Sequence, residues 1–542
     1  MYSDKENVNI LTSIMLAHGV TTVVVCPGSR NAPLAHNFSV HPSFRCISVT
    51  DERSAGFYAL GIASAQETPV AVCVTSGSAL LNVFPAVSEA FYRGIALMVI
   101  SSDRPQAMIG QLQGQTLPQQ GVFGLMVRVS VQLPEPHDDV ERWYCNRLVN
   151  EAIIKMRHRG SGPVHVNIPI SEPLYNFTLP TLPIERKMVL TPATADVQHL
   201  APIVTAFATA ERPLVVIGQM ERSEWHKASS AITRISQSAV MLIEKLSDDS
   251  SRQLPSLDTM VSLMQTGIDY APDFVVYLGG NFVAKSMRQY LQEIRPQRSI
   301  VVSPSGEVTD VLMNATDIVE SSPSDFLSAI AEVVGPVRTP SWYACWNELM
   351  THALAEANAP VVVNEEDIYH HRLHNEAIRR FFLAIKDKEM DVHVANSMSV
   401  RMSLKYADRY IYVNRGVNGI EGSLSTAAGH SLVSSCPVVC IIGDLSFFYD
   451  SNALWHEGLN GNLRILLLNN GCGGIFSKFK GLEGSPARES LVMARHNTDA
   501  RGVCQQNNVA YRRVGSVAEL DSGIAWLIGE ASSSPMLLEV VM

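Results

Sequence analysis

Two short apolar runs, Val438–Ile442 and Ile465–Leu468, each stop at residues that carry side-chain oxygen. Gly443-Asp444 follows the first and Asn469-Asn470-Gly471 the second. Apolar runs closed by turn residues read as buried strands, and the amphipathic stretch between them predicts a crossover helix. Such a βαβ unit brings the polar residues to the carboxyl ends of neighbouring strands, where open α/β sheets bind ligands. One carboxylate and one amide suit a hard cation such as Mg²⁺, which keeps part of its octahedral shell for substrate phosphate. An ordinary strand–turn–helix in which Asp444 caps the helix fits the same residues. The rest of the chain has to separate the two readings.

The elements that would position these residues recur along the sequence. Val8–Ala17 reads as a helix, Thr21–Cys26 as a β-branched strand, and Pro27-Gly28-Ser29-Arg30 as the loop after it. Cys46–Val49, a helix from about Asp51, Val70–Thr75 with Ser76-Gly77-Ser78, and Ala96–Ser101 with Ser102-Asp103-Arg104-Pro105 continue the alternation. Repeated βα units imply a parallel sheet covered on both faces, so Arg30, Glu52, Ser76 and Arg104 are expected on one rim. The Pro-punctuated stretch from Asn176 to Thr191 reads as a linker. A second series follows: Leu214–Ile217, Val240–Ile243, Phe274–Leu278 and Ser299–Val302. It holds no complete Gly-x-Gly-x-x-Gly, and Gly279-Gly280-Asn281 reads as a turn rather than a phosphate cradle.

A helix over Trp342–Glu356 bridges a second boundary, between Gly335-Pro336 and Asn358–Pro360, and the last series starts with Asp391–Ala395 and Tyr410–Val413 and closes with Met536–Val541. The economical reading is α/β, in three domains spanning 1–187, 188–355 and 356–542, each a mostly parallel sheet flanked by helices.

Bulk properties narrow the function. A chain of 542 residues exceeds what one core usually supports. The formal net charge of −10 argues against nucleic acid as a main partner. No stretch approaches the roughly 18 apolar residues of a membrane span, and the opening MYSDKENVNI carries charges where a signal peptide needs an apolar core. The 9 cysteines are scattered, and Cys436 and Cys440 form the one close pair, flanking or within an expected buried strand. Reduced thiols and a cytoplasmic location are expected.

Several stretches then carry a resemblance: VVVCPGSRNAPL (23–34), TDERSAGFYALGIA (50–63), TSGSALLNVFPAVSEA (75–90), SSDRP (101–105), ANSMSVR (395–401), NRGVNGIEGSLSTAAG (414–429) and GDLSFFYD (443–450). With Gly443-Asp444 ahead of Asn469-Asn470, they resemble thiamine-diphosphate enzymes of the pyruvate oxidase/decarboxylase type, and among these the branch serving menaquinone biosynthesis. Leu445 stands where most of that superfamily has glycine, and the menaquinone branch uses the leucine form. The likeness covers essentially the whole length and is thin in the middle third.

The resemblance implies a transferase that uses thiamine diphosphate with Mg²⁺ or Mn²⁺, decarboxylates 2-oxoglutarate and adds the resulting carbanion equivalent to isochorismate. It implies Asp444, Asn470 and the backbone carbonyl of Cys472 as metal ligands. Glu52 matches the glutamate that binds the pyrimidine N1′ and favours the imino tautomer, and Ile420 the apolar residue that props the cofactor in its bent form. Ser76, Gly77, Asn82, Gly443, Leu445 and Ile475 fall at further cofactor positions. Ser29 and Gln115 match polar catalytic positions that orient substrate, as Ser397 matches a substrate-orienting one. Arg30, Arg104, Arg401 and Arg415 match carboxylate-binding positions, which suits the planar fork of arginine. Lys285 carries over from a Lys-Arg pair whose second member is Ser286 here, with Arg288 as a candidate substitute. Phe476 matches a wall residue of the site. The family further implies a homodimer or dimer of dimers with active sites between protomers.

Overall fold

Valine- and isoleucine-rich runs pair into three parallel sheets, and their strands are buried because helices cover both faces. The computed structural model describes residues 1–190, 197–248, 254–358, 372–529 and 531–542. The expected end of the first linker, Thr191, and Ala359-Pro360 at the second boundary lie outside them.

The first sheet runs Arg45–Ser48, Thr22–Val25, Val70–Val74, Leu97–Asp103, Val164–Pro169, Ser130–Gln132, all parallel. Chain order reverses direction between Thr22–Val25 and Val70–Val74, the topological switch point at which such sheets open a crevice. The last sheet repeats the plan: Ile411–Tyr412, Asp391–Val394, Val438–Gly443, Leu463–Asn469, Met536–Val541, Ala510–Val514. Its switch point lies between Asp391–Val394 and Val438–Gly443, so Asn396-Ser397 and Gly443-Asp444-Leu445 flank one crevice.

The middle sheet runs Val240–Ile243, Pro213–Ile217, Phe274–Leu278, Arg298–Ser303, Asp317–Glu320. Its switch point, between Pro213–Ile217 and Phe274–Leu278, is closed by backbone. Gly218 N–H donates to the Leu278 carbonyl at 2.9 Å, Gly280 N–H to the Gln219 carbonyl at 2.6 Å, and Gln219 N–H to the Asn281 carbonyl at 2.9 Å. A Cβ on Gly218 would meet the Gly280 carbonyl oxygen at 2.2 Å, so only glycine permits this closure. A sheet of the same topology is therefore bridged by backbone at the point where its two neighbours open a crevice.

The outer sheets are joined by helices Glu52–Gln66 and Ser423–Ser431, which cross at small residues. A Cβ on Gly61 would lie 2.0 Å from the Thr426 carbonyl oxygen, and one on Gly429 would lie 2.3 Å from that of Tyr58. One apolar cluster spans this crossing and both sheets, with Val72 and Leu60 at one end and Leu424, Ile442 and Leu467 at the other. Each such side chain contributes about 1.5–3 kcal/mol on burial, so the outer units share one core.

Several expectations need correction. The segment between Gly443 and Leu463 is not one crossover helix: helix Asp444–Tyr449 stops at Asp450, a 3-10 turn spans Ser451–Leu454, and irregular chain completes the crossover. Asp450 turns its buried carboxylate away to accept from the Ser425 N–H and hydroxyl, both at 2.7 Å. The linker after Asn176 begins with a short strand, Phe177–Leu179, antiparallel to Tyr2–Ser3. Tyr410–Val413 shrinks to Ile411–Tyr412, and the strands Ser130–Gln132, Val164–Pro169, Asp317–Glu320 and Ala510–Val514 were not read in the sequence. The 9 cysteines are free thiols, and among the described residues no helix is long and apolar enough to cross a membrane.

Candidate active site

At the first switch point the loops after Thr22–Val25 and Val70–Val74 touch: a Cβ on Gly28 would sit 2.3 Å from Thr75 Cβ. Gly77, at φ +84°, bears on the backbone of Gln115, itself at φ +57°. Buried Gln119 fixes this junction. Its Oε1 accepts from Gly77 N–H at 2.7 Å, while Nε2 donates to the Ser102 carbonyl at 3.1 Å and to Asn167 Oδ1 at 2.7 Å. Asn167 Nδ2 donates in turn to Asp103 Oδ2, beside Arg104.

Helix Glu52–Gln66 starts at this rim because Asp51 caps it, accepting from the Arg53 and Ser54 N–H groups. Asn82 Nδ2 donates to Glu52 Oε2 at 3.1 Å, so these two expected cofactor residues meet. Arg30 and Arg104 also converge, on a residue the sequence reading missed: Glu172 Oε1 lies 3.1 Å from Arg30 Nη2 and 4.0 Å from Arg104 Nη1. The Glu172 side chain is 69% exposed, so its hold is that of a surface ion pair, about 0–1 kcal/mol. Charge-assisted hydrogen bonds to a desolvated carboxylate are worth about 1.5–3 kcal/mol.

At the second crevice three oxygens crowd together. Buried Asp444 accepts from Leu445 N–H through Oδ1 at 2.7 Å and from Cys472 N–H through Oδ2 at 3.1 Å. The Asn470 amide directs its oxygen at two acceptors, Asp444 Oδ2 at 3.3 Å and the Cys472 carbonyl at 2.9 Å. Either the amide turns over and donates to both, or a cation lies among the three oxygens. A carboxylate, an amide oxygen and a backbone carbonyl are the donors a hard cation takes, and they fit Mg²⁺ or Mn²⁺. Among the described residues no cluster of His, Cys, Asp and Glu side chains offers an alternative metal site. Burial pushes the Asp444 carboxyl up, against the pull of the Leu445 N–H and of His496.

His496 is the second residue the sequence reading missed. Its Nδ1 accepts from Thr498 N–H at 3.1 Å, which leaves the proton on Nε2, 3.3 Å from Asp444 Oδ2. It comes from an irregular loop with no periodicity to flag it, and its own N–H donates to the Gly471 carbonyl.

Arg415 is 8% exposed. Nη1 donates to Asn396 Oδ1 at 3.1 Å, and Nε, also buried, has no acceptor. Burial and the nearby Arg401 pull the guanidinium down to about 10, against the attraction of Glu244 and Glu89. Asn396 Nδ2 donates to the Asn414 and Gly419 carbonyls, which ties the switch-point loop to the turn carrying Ile420. Ser397 sits at φ +72° and its carbonyl accepts from Arg401 Nη1. Gly473 leaves room for Phe476 and Leu445: a Cβ there would lie 3.0 Å from the Phe476 ring and 3.4 Å from the Leu445 side chain. Ile475 shares the short turn Gly474–Lys478 with Phe476. Exposed Lys285 opens helix Lys285–Glu293, and Arg288 on that helix faces Arg415 electrostatically. The structure thus places most of the expected residues in an N-terminal group and a C-terminal group, with Lys285 on the middle unit. Ser29 stands in the N-terminal loop, with its backbone carbonyl accepting from Ala32 N–H.

Comparison with known proteins places this geometry. Residues 7–123 match the thiamine pyrophosphate enzyme N-terminal TPP binding domain, and residues 395–540 match the C-terminal TPP binding domain. The chain is 41% identical over 553 residues to the 2-succinyl-5-enolpyruvyl-6-hydroxy-3-cyclohexene-1-carboxylate synthase of Bacteroides fragilis, covering 100% of this chain and 96% of that protein. The chain belongs to that synthase family. The synthase of Bacteroides thetaiotaomicron is 40% identical over 554 residues, with 100% and 96% covered. That of Desulfotalea psychrophila is 34% identical over 549 residues, with 99% and 98% covered. The fold matches benzoylformate decarboxylase from Polynucleobacter necessarius with a TM-score of 0.74 at 17% identity, over 100% and 99% of the two chains. The synthase family is therefore built here on the thiamine-diphosphate enzyme fold, with the matched binding domains falling within the first and last units and covering most strands of their sheets.

Proposed function

We propose that the protein joins 2-oxoglutarate and isochorismate, with loss of CO₂, to form 2-succinyl-5-enolpyruvyl-6-hydroxy-3-cyclohexene-1-carboxylate in menaquinone biosynthesis. The observation that carries the reading is Arg415, a buried guanidinium whose Nε is left without an acceptor. A buried donor without a partner costs about 1–3 kcal/mol, which an incoming carboxylate relieves. Both substrates are dicarboxylates, and Arg30, Arg104 and Arg401 supply further fixed cations.

Bound thiamine diphosphate supplies the carbon nucleophile for decarboxylation and carboligation. Asp444, Asn470 and the Cys472 carbonyl would hold Mg²⁺ or Mn²⁺ against its diphosphate. Glu52 would hold a proton against the pyrimidine N1′, and Asn82 orients the Glu52 carboxylate by its hydrogen bond to Oε2. Ile420 offers an exposed apolar surface that would support the cofactor, and Gly443, Leu445, Ile475, Ser76 and Gly77 would line its site. Ser29, Gln115 and Ser397 orient the reacting groups, and Lys285 and Phe476 bound the substrate pocket. Leu81, Val417, Ile420 and Phe479 are exposed apolar side chains bordering the two half-sites. They support a homodimer or dimer of dimers in which one protomer's N-terminal half-site meets the C-terminal half-site of its partner. The location is cytoplasmic, and the division at 187/188 and 355/356 separates the three sheets.

Purified protein with thiamine diphosphate and Mg²⁺ is expected to consume isochorismate only when 2-oxoglutarate is present. Equal turnover with pyruvate in place of 2-oxoglutarate would overturn the assignment.

A further inference from the structure

Arg415 lies in a turn that the last sheet does not hold by itself. Directly after it, Gly416 N–H donates to Glu89 Oε1 and Val417 N–H to Glu89 Oε2, both at 2.8 Å. Glu89 belongs to helix Phe84–Arg93 of the first unit and is 2% exposed. A Cβ on Gly416 would meet the Glu89 carbonyl oxygen at 2.8 Å and Oε2 at 3.0 Å, so the turn rests directly on this helix and glycine is what lets it do so. One turn further along the same helix, Arg93 pairs with Glu221 of the middle unit at 2.9 Å. The middle unit reaches the turn as well: Asn281 Nδ2 donates to the Arg415 carbonyl and Gln219 Nε2 to the Val413 carbonyl.

A buried carboxylate is costly unless each oxygen is hydrogen-bonded. Burial pushes Glu89 above the ordinary glutamate value, while Arg93 and the two N–H groups pull the other way. A purely structural link between units needs no such group, since the outer units already share an apolar core. What the carboxylate adds is a two-point grip on consecutive N–H groups, which fixes both position and direction of the peptide next to the substrate-binding guanidinium.

We propose that Glu89 is a positioning residue for the synthase reaction. It clasps the Arg415-Gly416-Val417 turn from a different unit of the same chain and so aims Arg415 at the carboxylate of one of the two substrates. This rests on the assignment of Arg415 to substrate binding. Glu89 touches neither substrate nor cofactor, so its removal acts on the KM that Arg415 sets and spares the cofactor.

The test uses the full-length protein with thiamine diphosphate and Mg²⁺, comparing wild type with Glu89→Ala, Glu89→Gln and Arg415→Lys. Glu89→Ala is expected to raise KM for one substrate about 10-fold, with kcat within about 3-fold and the cofactor Kd, read by fluorescence quenching, unchanged. Glu89→Gln, which keeps one acceptor oxygen, is expected to fall between Glu89→Ala and wild type. Should Glu89→Ala fail to fold, Gly416→Ala pushes the same turn off the helix while leaving the Glu89 carboxylate in the chain, and is expected to give the same KM rise. Unchanged KM for both substrates, or a KM rise matched by an equal loss of cofactor affinity, would overturn the proposal. If Arg415→Lys also leaves both KM values unchanged, the assignment of Arg415 itself falls. A KM rise in Arg415→Lys alone leaves that assignment standing and removes only Glu89.

Discussion

His496 Nε2 lies 3.3 Å from Asp444 Oδ2, the carboxylate oxygen that also faces Asn470. The Thr498 N–H on Nδ1 settles which ring nitrogen carries the proton, so Nε2–H faces the carboxylate at ion-pair distance without completing a hydrogen bond to it. Groups packed behind a metal-binding carboxylate commonly set metal affinity by about 10–100-fold. His496→Ala is expected to weaken Mg²⁺ binding about 10-fold, measured as the Mg²⁺ concentration needed for half-maximal thiamine diphosphate binding. Asp444→Ala should remove the metal dependence of that binding altogether. An Mg²⁺ titration of His496→Ala that superimposes on wild type would show the imidazole to be a bystander.

Glu52 and Asn82 meet at 3.1 Å on the rim of the first sheet. Glu52→Gln is expected to fold normally and to slow hydrogen–deuterium exchange at the reactive thiazolium carbon at least about 100-fold. Asn82→Ala should slow it less, because the carboxylate remains but loses its orienting amide. Near-normal exchange in Glu52→Gln would take Glu52 out of the reaction.

Glu244 is buried in the middle unit, where its Oε1 accepts from Val283 N–H at 3.0 Å and Ala284 N–H at 2.9 Å, just before Lys285. Burial outweighs these donors and the nearby Arg415, and raises the carboxyl from 4.5 to about 7. A carboxyl raised on folding binds its proton more tightly in the native state, so its stabilising contribution is complete below pH 4.5 and is lost as pH rises through about 7. The full change is about 3 kcal/mol. Glu244→Gln keeps an acceptor in place of Oε1 and removes the titration. Relative to wild type, the variant should gain urea resistance between pH 5 and pH 8, and a pH-independent difference would contradict the burial argument.

Gly61 packs against Thr426 with no space for a methyl group, since a Cβ would stand 2.0 Å from the carbonyl oxygen. Both contacting groups belong to helices, so relief requires separating Glu52–Gln66 from Ser423–Ser431. Gly61→Ala is expected to cost about 3 kcal/mol of stability, seen as a lower denaturant midpoint. An unchanged midpoint would mean that the two outer units are not tied together at this crossing.

What the sequence by itself determined was the repetition of apolar runs ending in polar loops, and through it the α/β class and the strand ends bearing Arg30, Glu52, Asp444 and Asn470. Those features are local: a β-branched run and the turn residue that closes it are neighbours in the chain. His496, Glu172, Glu89 and Gln119 were invisible because each acts on residues far away in sequence, Glu89 on a turn more than 300 positions later. A buried carboxylate and a solvated one have the same letter, and only packing tells them apart. The shortened crossover helix shows the same limit, since Asp450 leaves the helix to satisfy Ser425 on another element. The middle sheet, with the topology of its neighbours, has its crevice filled because Gly218 and Gly280 let two loops close by backbone hydrogen bonds. Which switch points stay open for a ligand was decided by that tertiary contact.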